Sequence, residues 1–264
     1  VKVNHFIVKN KHEVKKLMIL ALNAGHELLK SGAETYRIED TMTRICNSRE
    51  NITRSESFVT QTVILIAVEF EGNVYTDFRR VSGEATNLDK ISYINQFSRD
   101  FQIENISIDE GLEVIENVKD IHVFSSKSKI FFGAICGGAF TMMFGGNFYD
   151  FIASFIASAL TIVFYVRLVK LPVTFFVTNF ICALLASVFS YITVKLGIGQ
   201  DVDKIIIGAI MYLVPGVAFT NAIRDTMSGD SLSGLSKGME AIFTALAIAF
   251  GVGVIVNLHS QGVI

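Results

Sequence analysis

The residues best suited to chemistry lie in one stretch, Leu213 to Glu240, LVPGVAFTNAIRDTMSGDSLSGLSKGME. Thr220, Asn221 and Arg224 follow one helical face, and Asp225, Asp230 and Glu240 come soon after. Such a set offers a guanidinium to grip a carboxylate, an amide and a hydroxyl to hydrogen-bond it, and carboxylates to carry a proton. Just before it, Pro215 removes a backbone donor and frees the carbonyl of Met211, and Gly216 lowers the cost of bending, so a kinked or broken helix is expected. At membrane depth such breaks are tolerated where protein or a water-filled cavity meets the freed groups, and ionisable side chains there are costly and usually functional. A purely structural proline kink, followed from Arg224 onward by a solvated loop, is the plainer alternative.

A second charged group, Glu34, Arg37, Glu39, Asp40 and Arg44, falls on one helix within SGAETYRIEDTMTRI, Ser31 to Ile45. Asp40 and Arg44 stand four apart and can pair for a few tenths of a kcal/mol. This face either packs or is solvated, or else serves coupling or gating. Soluble-enzyme signatures fail. His26-Glu27 opens like a zincin motif, but the second His position holds Lys30; Gly251 and Gly253 sit in an apolar run with no preceding strand. Residues 229–234 miss the nucleophile-elbow spacing. No metal or cofactor site is expected, and Cys46, Cys136 and Cys182 read as isolated buried thiols.

The elements that must position these residues divide the chain in two. Over 264 residues 51% are hydrophobic, with a mean hydropathy of +0.47, too apolar for an ordinary soluble domain. Residues 1–129 carry 17 Lys/Arg and 19 Asp/Glu, and the other 135 carry 6 of each, so the apolar half must face lipid. Net charge is −2 and no basic or aromatic-interleaved block occurs, which argues against nucleic acid. In the charged half, Val14, Leu17, Met18, Ala21, Leu22, Gly25, Leu28 and Leu29 mark an amphipathic helix. Ser31 with Glu34 fits a capping box opening a second helix. Residues 61–70 and 74–81, joined through Glu71-Gly72-Asn73, read as a β-hairpin, and two further helices follow.

The fold class is therefore a membrane α-helical protein of five transmembrane helices with an N-terminal cytoplasmic α+β domain. The domain is placed at 1–125, and the membrane part at 126–264 with spans about 130–149, 149–167, 171–194, 205–223 and 239–258. In the second span Asp150 must sit at the interface, or the helix must begin a turn earlier. Lys127, Lys129, Arg167, Lys170, Arg224 and Lys237 fall on one side and only Lys195 and Lys204 on the other, which puts the N-terminus inside and the C-terminus outside. The basic N-terminal stretch also lacks the apolar core of a secretory signal.

The stretch LVPGVAFTNAIRDTMSGDSLSGLSKGMEA closely resembles the signature of the threonine/serine exporter family, in its N-terminal membrane domain, and Ser31 to Ile45 is similar to that family's other characteristic stretch. The resemblance covers essentially the whole chain. It implies an inner-membrane secondary exporter, not an enzyme, with a small-molecule substrate: threonine or serine in fused relatives, succinate in split ones. Family members occur as one long chain of about ten spans or as two proteins. This sequence is similar to the first protein of a split pair, which implies a second five-span membrane subunit as partner, with a homo-oligomer as the other possibility. A rival reading from another class is a membrane-anchored signalling or scaffold protein whose cytoplasmic domain does the work.

Overall fold

The computed structural model describes residues 6–83, 86–121 and 124–262. The first five residues of the basic N-terminal stretch and the terminal Ile264 lie outside them. The chain forms two compact units: the described residues of Val1–Val123 together with Thr220–Gly238, and those of Phe124–Phe219 together with Met239–Ile264.

The first unit opens with helix α1 (Lys11–Lys30), whose N-cap Asn10 side chain accepts from the His12 and Glu13 amides. It ends at Ser31, and Gly32 takes φ +79°, a left-handed conformation that a glycine adopts without strain. Helix α2 (Thr35–Asn47) returns against α1. A Cβ on Gly25 would stand 2.4 Å from Met42 Sδ, so the glycine sets how closely the two helices approach. Strands β1 (Arg54–Val59), β2 (Val63–Phe70) and β3 (Asn73–Arg80) form an antiparallel sheet in that order. Positive φ at Glu71 and Gly72 makes the tight β2–β3 turn.

Strand β2 alternates strictly, with Ile64, Ile66, Val68 and Phe70 buried on one face. Helices α3 (Leu88–Ile103) and α4 (Ile108–Asn117) complete the core, supplying Ile91, Ile94, Phe97, Phe101 and Ile115. The expected α+β character is present, with one strand more than the hairpin. The expected capping box is not: Ser31 closes α1 instead of opening α2, and the N-cap of α2 is Glu34, whose side chain makes no cap bond.

The second unit is helical: α5 (Ser126–Met143), α6 (Phe148–Leu168), α7 (Phe175–Lys195) and α8 (Val202–Ile210), with a 3-10 turn at Met211–Leu213. Helices α9 (Gly216–Met227) and α10 (Ser231–Ser260) have residues in both units. Small residues make the contacts. A Cβ on Gly137 of α5 would stand 2.0 Å from Ser158 Oγ of α6 and 2.9 Å from the Gly208 carbonyl of α8. One on Gly251 of α10 would stand 2.5 Å from the Phe180 carbonyl of α7. Thr161, Ser187 and Ser190 return their hydroxyls to carbonyls four residues back. Asp150, 1% exposed, forms a capping box with Asn147 and accepts from the Gln200 and Asp201 amides at 2.7 and 2.9 Å. Helix α6 begins at Phe148, so Asp150 lies in its first turn.

Among the described residues α6, α7 and α10 are each long and apolar enough to cross a bilayer, and α8 with α9 counts as a fourth if the bent pair is one span. Of the five expected spans, three or four qualify on length and composition; α5 does not, since it starts with Lys127 and Lys129 in its first turn and ends at Met143, short of the anticipated residue 149. Only 33%, 39% and 33% of the apolar windows of α6, α7 and α10 are buried within the chain, so most of that surface must meet lipid or another protein.

Candidate functional site

The site is built on a helix start that cannot cap itself. Glu34 is extended (ψ 143°), and with its carboxylate turned away the first amide of α2 needs another acceptor. Asp225, from α9, supplies it: Oδ1 accepts from the Thr35 amide at 3.0 Å and Oδ2 from the Thr35 hydroxyl at 3.0 Å. Asp225 is fully buried, and Lys237 Nζ, from the first part of α10, donates to its Oδ2 at 2.8 Å. The same ammonium lies 3.4 Å from the Ala33 carbonyl, and Asn221 Nδ2 donates to the Gly32 carbonyl at 3.0 Å. The turn Gly32–Thr35 is thus clasped by side chains from both α9 and α10. A carboxylate at a helix N-terminus is favoured by the dipole as well as by its hydrogen bonds.

Glu34 is bound on both oxygens. Arg37 Nε lies 3.0 Å from Oε2, and Arg224 Nη1 pairs with Oε1. The carboxylate is almost enclosed, with 10% of its side chain exposed, whereas the guanidinium side chains are 37% and 49% exposed.

Two further carboxyls lie close by. Glu39 accepts from the Val59 amide at 2.9 Å, while the Ser233 hydroxyl donates to the Val59 carbonyl at 3.3 Å, so α2 and α10 grip the same residue at the end of β1. Burial raises the Glu39 carboxyl above its ordinary range; the Val59 amide opposes this, and repulsion from Asp230 and Asp225 adds to it. Asp230 is raised too, by burial and then by Asp225, with Lys237 pulling the other way. Gly234 lets α9 and α10 meet: a Cβ there would lie 2.2 Å from Thr226 Oγ1 and 2.9 Å from the Ala222 carbonyl.

The structure therefore brings together Glu34, Arg37, Glu39, Asn221, Arg224, Asp225 and Asp230 from the two sequence stretches. Asp40 does not join them; it is exposed and pairs with Arg44, as its spacing suggests. Thr220 is exposed on α9, and Glu240 belongs to the second unit with Pro215 and Gly216. Pro215 stands between helices, where α8 with its 3-10 turn and α9 are bent by 59°. The Met211 carbonyl is not left open for a ligand, because the Val214 amide donates to it at 3.3 Å. Burial of Asp225 and Lys237 also corrects the picture of a wholly solvated loop beyond Arg224.

Sequence reasoning missed Thr35, Ser233 and Lys237 as site residues. A detectable signal existed in Ser233, Gly234 and Lys237, which recur at helical spacing on one face. Cys136, expected buried, is exposed, while Cys46 and Cys182 are buried. Among the described residues no group of three or more His, Cys, Asp or Glu could hold a metal ion.

Apolar helices of spanning length define a multi-pass membrane protein, and the ionic clasp lies within its α+β unit. The family described as "Putative threonine/serine exporter" (ThrE) matches residues 19–259, and the chain belongs to that family. It is also 21% identical over 260 residues to the "Probable succinate transporter subunit YjjP" of Klebsiella aerogenes, covering 96% of this chain and 97% of that protein. No solved structure matches.

Proposed function

We propose that this chain is one subunit of a secondary exporter of small carboxylate solutes, threonine and serine or succinate, acting with a second five-span membrane protein. The observation that carries the proposal is the convergence of the two charged stretches, 190 residues apart, on one network: the buried Asp225 on Thr35 and Lys237, and the half-exposed Arg224 on Glu34. Removing one partner from a buried pair costs about 3–5 kcal/mol, so a network of this kind needs a role that offsets its risk. Family membership and the relative's description as a transporter subunit support the same class.

In the proposed arrangement α5 is the first of five spans and the first unit is cytoplasmic, with the C-terminus outside, following the Lys/Arg asymmetry. Arg224 meets the substrate carboxylate, and Thr220 and Asn221 hydrogen-bond the solute. Asp225 is fixed by Lys237, which leaves Asp230 and Glu39, both raised toward neutrality, as the carboxyls that take up and release a coupling proton. Helices α9 and α10 run on from this network into the apolar unit, so a change of protonation acts on the two helices themselves. The bend at Pro215 and Gly216 gives α9 a point about which to move, and Glu240 continues the path.

An odd number of spans makes a homologous partner run in the opposite sense, the arrangement of inverted repeats with a site at their interface. The test is reconstitution in proteoliposomes with and without a co-expressed five-span partner, measuring flux of threonine, serine and succinate. Flux that requires both proteins is expected. Robust flux from this chain alone refutes the two-subunit reading, and absence of flux with every partner and solute refutes the exporter.

A further inference from the structure

We infer that the Glu34 side chain is a tethered occupant of the carboxylate site it helps to define, so that a solute must displace it to bind Arg37 and Arg224. The inference rests on the proposal that Arg224 meets the substrate, and adds how that site is regulated. Glu34 sits at the N-cap of α2, where an acidic side chain ordinarily folds back onto the helix amides. Here it makes no cap bond, because Asp225 has taken over the Thr35 amide. The start of α2 does not depend on the Glu34 carboxylate, which is free for another task.

That task is visible in its partners. One oxygen is given to Arg37 on the same helix and the other to Arg224 on α9, so two guanidinium groups from distant segments share one carboxylate. This is the chemistry by which a small carboxylic acid is recognised, with planar donors on both oxygens. The exposures point the same way: the carboxylate is nearly enclosed while the arginines remain open to solvent, as expected for receptors filled from within. A group tethered this closely competes at an effective concentration on the order of millimolar, which weakens the apparent affinity for any free carboxylate. The site then loads only when the solute is abundant, the behaviour suited to an exporter that must not drain a scarce pool.

The test is calorimetric titration of the purified full-length chain, with its partner if the complex is required, using succinate, threonine and, as a control without a carboxylate, ethanolamine. Glu34→Gln keeps the shape and removes the competitor; it is expected to tighten carboxylate binding by about tenfold or more. Glu34→Asp keeps the charge but is one methylene short of spanning both arginines, so tightening of intermediate size is expected. Succinate and threonine separate a dicarboxylate from an amino-acid ligand, and ethanolamine stays silent throughout. Unchanged or weaker binding in Glu34→Gln overturns the inference. So does Glu34→Asp binding like wild type while Glu34→Gln tightens, which would mean that only the nearby charge matters. Arg224→Gln reports separately: loss of binding there without tightening in Glu34→Gln removes the tethered occupant alone, whereas wild-type binding in Arg224→Gln removes the substrate reading beneath it.

Discussion

The two units bury opposite kinds of side chain. The first is filled by large branched and aromatic groups, Leu17, Leu20, Ile38, Ile64 and Phe101 among them, and it also holds the buried Asp225 and Lys237. The second is joined by glycine, alanine and serine at Gly137, Ala157, Ser158, Ala186 and Gly208, and its large apolar side chains, such as Phe132, Phe243 and Phe250, point outward. Water drives the first arrangement, since removing apolar area from water is the main stabilising term. Where the outside is itself apolar that force is absent, and close backbone approach between small residues takes its place. Buried charge is held differently in the two: Asp225 and Lys237 pair with each other in the first unit, whereas Asp150 in the second is held by the backbone amides of Gln200 and Asp201.

The largest loss of stability is expected from Lys237→Met. It leaves the Asp225 carboxylate buried without its ammonium partner, at a cost of about 3–5 kcal/mol. The purified variant should lose much of its thermal stability, and Asp225→Asn combined with Lys237→Met should recover a large part of it. A single variant as stable as the parent would mean that the pair is not buried as described.

Opposite substitutions should then hurt the two units. Leu20→Ala, which opens a cavity beside Gly111 and Phe101, is expected to cost about 2–5 kcal/mol. Gly137→Ala places a methyl against Ser158 and the Gly208 backbone, and is expected to cost about 1–3 kcal/mol through overpacking. Melting curves of both in detergent check the pair; a neutral Gly137→Ala would show that the small-residue contact is looser than drawn.

The smallest expected effect is on pH dependence. A carboxyl raised in the folded state binds more protons there than when unfolded, so stability falls as pH rises from the ordinary carboxylate range through the raised value. Glu39 and Asp230 both contribute in that sense. Glu39→Gln with Asp230→Asn should flatten the fall in melting temperature between acidic and neutral pH. An unaltered slope would place the titrating groups elsewhere.

Much of this was legible in the sequence, for reasons that differ by element. The apolar runs announced α6, α7 and α10, because a bilayer demands length and hydropathy that composition records directly. The alternation of β2 was equally plain, but β1 (RSESFV) was passed over: its outer face is polar and its tie to Glu39 and Ser233 is long-range. Ser31 and Glu34 satisfied a local capping pattern while the true cap came from Asp225, 190 residues away, which no window of sequence contains. For the same reason Lys237 read only as a marker of membrane orientation. The charged residues were visible; their pairing was not.

The proposed export path runs through the site that the two charged stretches form together. The test is efflux of succinate, threonine and serine from cells that carry this chain and the co-expressed five-span membrane protein proposed as its partner. The parent is compared with Arg224→Ala, Asn221→Ala and Asp230→Asn, each confirmed to insert in the membrane at the parental level. All three should lose most of their efflux, and Arg224→Lys, which keeps the charge but not the planar fork, should fall between. Parental efflux in all three variants would contradict it.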